Sequence, residues 1–141
     1  MRYWDTSAIV PLLLPESPRD ALLDLLERDP AMLVWWGTSV ECTSAVARRE
    51  REGALGVADA SAALQRLRDL AAEWQEIVPG DSIRTTAQRL LRLHPLRAGD
   101  SLQLAAAIIA AGHEPATLEF VSLDARLNEA ASREGFPVRA L

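Results

Sequence analysis

The chain has no lysine; all 15 of its basic residues are arginine. This excludes a P-loop lysine, Schiff-base chemistry, and the lysine that phosphoacceptor receiver domains keep near their aspartates. It has one cysteine, Cys42, which cannot form an internal disulfide and reads as a buried helix thiol. No apolar stretch approaches the length of a bilayer-spanning segment. Met1-Arg2-Tyr3-Trp4-Asp5 lacks the apolar run of a secretory signal. The expectation is a cytoplasmic protein that does not contact membrane. Repeats, low-complexity tracts and linkers are absent as well. The net charge of −5 argues against a protein that coats nucleic acid through bulk electrostatics. An enzyme whose acidic site is neutralised by a cation remains compatible with it.

What is present suits one globular domain over residues 1–141, with 49% hydrophobic and 25% charged residues. Residues 2–4 read as a short strand ending at Asp5, after which Thr6-Ser7 open a helical run through Leu14 that contains Pro11. Apolar spacing predicts a helix over 19–29, a strand over Met32–Trp36, and a helix from Thr38 to about Glu52. A long amphipathic helix follows over about 58–73, then a strand at Glu76-Ile77-Val78 and a helix capped by Asp81 that reaches Leu93. Asp100 begins a helix that is apolar nearly all round, and such a helix packs on several sides. Leu118–Ser122 reads as a fourth strand, Ala125–Arg133 as a helix, and Pro137–Arg139 as a short fifth strand. Strands that alternate with helices and lack hairpin signals imply a mainly parallel sheet of four to five strands in a three-layer α/β/α domain.

Four acids stand apart from the twenty. Asp5 and Asp124 each follow directly on a strand, where ligands of parallel α/β sheets collect. Glu41 and Asp100 each lie at a helix start. Gaps of 36, 59 and 24 residues separate the four, so no i,i+4 pairing explains them. Each has a plain alternative as a capping residue: Thr38-Ser39-Val40-Glu41 and Asp100 with Gln103 both have the form of capping boxes. Capping and metal binding are compatible, because a helix N-terminus favours the ionised carboxylate. Clustered carboxylates repel one another unless a cation is present.

The local contexts decide between these readings. Asp5-Thr6-Ser7-Ala8-Ile9-Val10 after a short strand resembles the opening of PIN domains, in particular the VapC-type toxins. Thr38-Ser39-Val40-Glu41 entering a helix is similar to their second motif. Arg97-Ala98-Gly99-Asp100-Ser101-Leu102-Gln103-Leu104 resembles the third, and Ser122-Leu123-Asp124-Ala125-Arg126-Leu127 the fourth. The four motifs span the chain in order. Trp4 stands where a smaller aliphatic residue is more usual, a difference that touches packing.

The resemblance implies a PIN-like fold and Mg²⁺- or Mn²⁺-dependent endonucleolytic cleavage of RNA, leaving 5′-phosphate and 3′-hydroxyl ends. Carried onto this chain, it makes Asp5 and Asp100 the first metal ligands, with Glu41 and Asp124 completing the site through water or a second ion. Thr6, Ser7 and Ser122 become hydroxyls that orient the carboxylates or water, although turn and capping roles account for them equally. Neither His94 nor His113 is placed for metal-free ribonuclease chemistry. Substrate must approach an acidic mouth, so Arg97 is a candidate RNA contact. Arg48, Arg49 and Arg51 form one arginine cluster and Arg84, Arg89 and Arg92 extend another, and a solvated helix face explains both as well as RNA binding does. The resemblance further implies a VapB-like antitoxin partner and a homodimer. The competing readings are a catalytically silent PIN-like module that binds RNA or protein, a metal-dependent phosphatase or phosphotransfer domain, and a DNA nuclease. The absence of lysine, and of a second Asp two positions after Asp5, counts against the phosphatase.

Overall fold

The computed structural model describes residues 1–141. Four short strands, β1 (Arg2–Trp4), β2 (Met32–Trp35), β3 (Gln75–Ile77) and β4 (Glu119–Val121), form one all-parallel sheet in the order β3-β2-β1-β4. Successive strand side chains point to opposite faces, and the two central strands divide accordingly. Trp4, Met32 and Val34 enter one hydrophobic cluster, and Tyr3, Leu33 and Trp35 enter the other. All four residues of β2 are buried, as expected for a strand covered on both faces.

The helices are sorted between the same two layers. Helices α1 (Thr6–Leu13), α2 (Arg19–Arg28), α3 (Thr38–Arg51) and α4 (Val57–Ala71) cover the Trp4 face. Helices α5 (Asp81–Leu93), α6 (Ala98–Ala110) and α7 (Ala125–Arg133) cover the Tyr3 face. This is the expected three-layer α/β/α domain. The apolar sequence of α6 has a structural reason: Leu104, Ala105, Ala106 and Ala107 are fully buried, and the alanines let the helix lie close against β2 and α5. The amphipathic faces of α2 and α4 go into the core through Leu22, Leu25, Ala60, Ala63 and Leu67.

Several boundaries differ from the sequence expectations. The fifth strand is reduced to one bridge, Phe120 with Val138. Helix α6 starts at Ala98, so Asp100 lies in its first turn and does not cap it. Asp81 is not a cap either. Gly80 holds that position, and the exposed Asp81 carboxylate faces Arg84 at 3.6 Å. Pro11 is accommodated inside α1, which ends two residues later. No helix is long and apolar enough to cross a membrane.

Strand order places the site. From β1 the chain builds β2 and β3 on one side, and the crossover through α5 and α6 delivers β4 to the other side of β1. The switch point therefore lies at the carboxyl ends of β1 and β4, where open parallel sheets leave a crevice.

Candidate active site

Asp5, Glu41, Asp100 and Asp124, together with Thr6, Ser7 and Arg97, line one open cleft of about 740 Å³ at that switch point. Four separate chain segments supply the acids. Asp5 ends β1, Glu41 lies in the first turns of α3, Asp100 in the first turn of α6, and Asp124 caps α7. Ser122 lies beneath the cleft, buried, and reaches Asp5 from the end of β4.

Three of the carboxylates share a pattern in which one oxygen is held by the protein. Asp5 Oδ2 accepts from Ser7 N at 3.2 Å, Ser7 Oγ at 2.6 Å and Ser122 Oγ at 2.9 Å. Asp124 Oδ1 accepts from the backbone of Arg126 and Leu127 at 2.9 and 3.1 Å. Glu41 Oε1 accepts from Gln103 Nε2 at 3.1 Å. The second oxygen of Asp5 and of Asp124 receives no protein donor, while Thr6 adds a second hydrogen bond to Glu41. The capping reading thus holds for Asp5 and Asp124, and each cap still leaves an oxygen for a ligand.

Capping does not hold for the other two. Gly37 occupies the N-cap position of α3 with no side-chain cap, and Thr38 and Glu41 turn toward Gln103. A side chain at Gly37 would meet the Trp35 indole nitrogen at 2.7 Å, so the tight passage from β2 into α3 depends on glycine there.

Gln103, which the sequence offers only as half of a capping box, is the functional residue that the motifs do not single out. It is fully buried on α6, its Oε1 accepting from the Tyr3 hydroxyl at 2.7 Å. Its Nε2 faces Thr6 Oγ1 at 3.0 Å, Thr38 Oγ1 at 3.1 Å and Glu41. A signal was available, since a lone amide in an otherwise apolar helix must be satisfied by buried partners. It also lies three residues after Asp100, on the same helix face.

The electrostatics are those of crowded acids. Burial raises the proton affinity of Asp5; the Ser7 and Ser122 hydrogen bonds oppose this and Asp100 adds to it. Burial also raises Glu41, with Gln103 opposing and Asp5 reinforcing the rise. Burial and the neighbouring Asp124 raise Asp100, against the Arg97 backbone and the Arg97 and Arg126 guanidinium groups. A cation in the cleft relieves this repulsion.

Nowhere in the chain do three His, Cys, Asp or Glu side chains converge closely enough to enclose an ion. The donor set nevertheless fits Mg²⁺ or Mn²⁺. It is all hard carboxylate oxygen, and Mg²⁺ commonly keeps several waters and takes only one or two carboxylates directly. The open cleft leaves room for those waters.

The arginine clusters separate into different roles. Arg48 and Arg49 both line the cleft, but Arg49 is tied to Glu16 through two bonds of 2.6 and 3.0 Å and Arg48 is free. Arg89 joins Glu134, and of that stretch only Arg97 borders the acids. His94 is buried at the end of α5 with Nε2 2.8 Å from Glu134, outside the cleft, and His113 follows Gly112 in a left-handed turn.

Comparison with known proteins agrees with this architecture. No curated protein matches in sequence. A chain from a toxin–antitoxin complex of Klebsiella pneumoniae superposes with a TM-score of 0.68 at 18% identity, covering 99% of this chain and 97% of the other. FitAcB from Neisseria gonorrhoeae gives 0.69 at 17% identity with the same coverage. PAE2754 from Pyrobaculum aerophilum gives 0.63 at 20% identity, covering 92% and 84%. At these identities the likeness is one of fold. The family model for the PIN domain matches residues 2–132, nearly the whole length, and the chain belongs to the PIN-domain family.

Proposed function

We propose that the chain is a divalent-metal-dependent endoribonuclease and the toxin of a VapC-type toxin–antitoxin pair. The observation that carries this reading is the convergence of four carboxylates from four segments on one cleft, in a PIN domain. A pure interaction module gains nothing from such repulsion.

In this reading Asp5 and Asp100 hold the metal, and Glu41 and Asp124 complete the site directly or through water. When bound, Mg²⁺ or Mn²⁺ supplies acidified water and neutralises charge on the phosphate. The chain's own residues do the positioning. Ser7 and Ser122 fix the Asp5 carboxylate by one oxygen. Gln103 does the same for Glu41 while also holding the Thr6 hydroxyl. Arg48 and Arg97, at the rim of the cleft, offset the acidic mouth for an incoming RNA backbone.

The antitoxin assignment rests on the fold shared with the Klebsiella toxin–antitoxin complex. It is supported by apolar surface left exposed around the cleft end of the sheet, at Trp36, Val40 and Val78. Leu91 and Leu93, exposed near the end of α5, supply a surface for the homodimer. Such a toxin works in the cytoplasm, where its RNA is.

The test is incubation with structured RNAs in Mg²⁺, Mn²⁺ or EDTA, beside Asp5→Asn and Asp100→Asn. Metal-dependent cleavage that both variants lose is expected. Cleavage that persists in EDTA or in both variants would sink the mechanism. Equal growth of cells expressing the wild type and Asp5→Asn would contradict the toxin role.

A further inference from the structure

Beside the carboxylate cleft lies a second recess of about 600 Å³, between the starts of α6 and α7, bordered by Arg97, Gly99, Asp100, Asp124 and Arg126. The two hollows share Arg97, Asp100 and Asp124, so they are adjoining parts of one depression. Of the other arginines, Arg2 and Arg139 pair with Glu119, Arg49 with Glu16 and Arg89 with Glu134. Arg28, Arg48, Arg51 and Arg92 form no ion pair, but none of these four borders the recess. Arg97 and Arg126 form no ion pair and donate no side-chain hydrogen bond. Both nonetheless stand near enough to Asp100 to lower its proton affinity. The recess is open beside Gly99, where a Cβ would meet nothing within 4 Å.

A solvated helix face explains a free arginine taken singly. It does not explain two of them, from different helices, bordering one hollow that is continuous with the acids. Asp100 and Asp124 offset part of the charge of these two guanidinium groups, and a phosphate between them would meet donors that no protein acceptor takes and match their planar forks. A phosphodiester chain presents successive anions one nucleotide apart, so a single strand fills the cleft and the recess together.

We propose that this recess is a subsite for the phosphate adjoining the one to be cleaved, gripped between Arg97 and Arg126. The proposal rests on the reading of the cleft as an RNA-cleaving site. It makes a substrate with a second phosphate bind better than a dinucleotide with only one, through KM rather than kcat.

The test reads binding rather than cleavage. The Asp5→Asn protein keeps RNA intact, and anisotropy of a labelled, short, unstructured RNA is followed over a range of salt in Mg²⁺. Adding Arg97→Ala and Arg126→Ala is expected to weaken binding at least about tenfold. The slope of log affinity against log salt should become shallower by about 0.7, the contribution of the one single-strand phosphate contact that is lost. Paired lysine substitutions should restore the slope but only part of the affinity. Arg28→Ala, beside Arg2 at the opposite end of the sheet, should change neither. Unaltered affinity and slope in the double alanine variant would overturn the subsite, as would an equal loss in Arg28→Ala or no RNA binding by the parent. An arginine effect that vanishes while wild-type cleavage persists removes the subsite and leaves the nuclease. Arginine-dependent binding without cleavage in any metal does the reverse.

Discussion

Gln103 on α6 donates to Glu41 on α3 at 3.1 Å, across 62 residues of chain. An ionised carboxylate only accepts, so the amide nitrogen must face Glu41, and its oxygen is thereby left for the Tyr3 hydroxyl. The two N–H groups of the amide serve three acceptors, Thr6, Thr38 and Glu41, which makes Gln103 the common support of β1, α1 and α3.

Gln103→Leu leaves the buried Tyr3 hydroxyl without its acceptor and should lower unfolding free energy by about 1–3 kcal/mol, measured by denaturant titration. It should also weaken metal binding, because Glu41 loses its anchor. An unchanged metal affinity in a folded Gln103→Leu protein would show that Glu41 needs no such support.

Ser122→Ala removes one of the three bonds on Asp5 Oδ2 and leaves the two from Ser7. Loss of a group that orients a metal-binding carboxylate typically costs about 10–100-fold in metal affinity or activity, and that is the expected effect here. Calorimetric titration with Mn²⁺ measures it.

The sheet, its parallel sense and the two helical layers were legible in the sequence because hydrophobic period and strand–helix alternation are local signals. The four acids were legible as strand and helix starts within recognisable motifs. What local patterns do not encode is which partner a polar side chain finds across the fold. Asp100-Gln103 and Thr38-Glu41 have the spacing of capping boxes, yet burial of α6 against the sheet gives Gln103 four partners from other elements. Asp81 failed for the opposite reason: Gly80 takes the cap position, and nothing packs over the Asp81 side chain. Pro137–Arg139 carries too little apolar length to extend the sheet beyond the Val138 bridge.

The acidic cluster predicts an unusual response to charge removal. Asp5, Glu41 and Asp100 all have raised proton affinity in the folded state, so without metal their ionised forms cost stability above the ordinary carboxylate range. Asp100→Asn should therefore raise the melting temperature of the metal-free protein at neutral pH while reducing the increment that Mg²⁺ adds. A lower metal-free melting temperature would contradict this account of the cluster.

Glu134 behaves in the opposite sense. Burial pushes its carboxyl up, but hydrogen bonds from Arg89 and His94 outweigh this and hold it below the ordinary glutamate value. A lowered folded value stabilises the fold above the unfolded value near 4.5 and is lost as pH falls through the folded one. The wild type should thus exceed Glu134→Gln in stability at neutral pH. The difference should shrink below about pH 4.5, the ordinary value of the group.

Cys42 is fully buried, and burial pushes its thiol up to about 12. The native protein should resist alkylation at neutral pH, with labelling appearing only as the chain unfolds. Rapid labelling under native conditions would show that α3 opens readily.

The most direct test of the central claim is the chemistry of the RNA ends. Water attack on phosphorus, assisted by metal held at Asp5 and Asp100, predicts 5′-phosphate and 3′-hydroxyl products from the wild type in Mg²⁺ and none from Asp5→Asn. Products ending in 2′,3′-cyclic phosphate, or undiminished cleavage by Asp5→Asn, would contradict it.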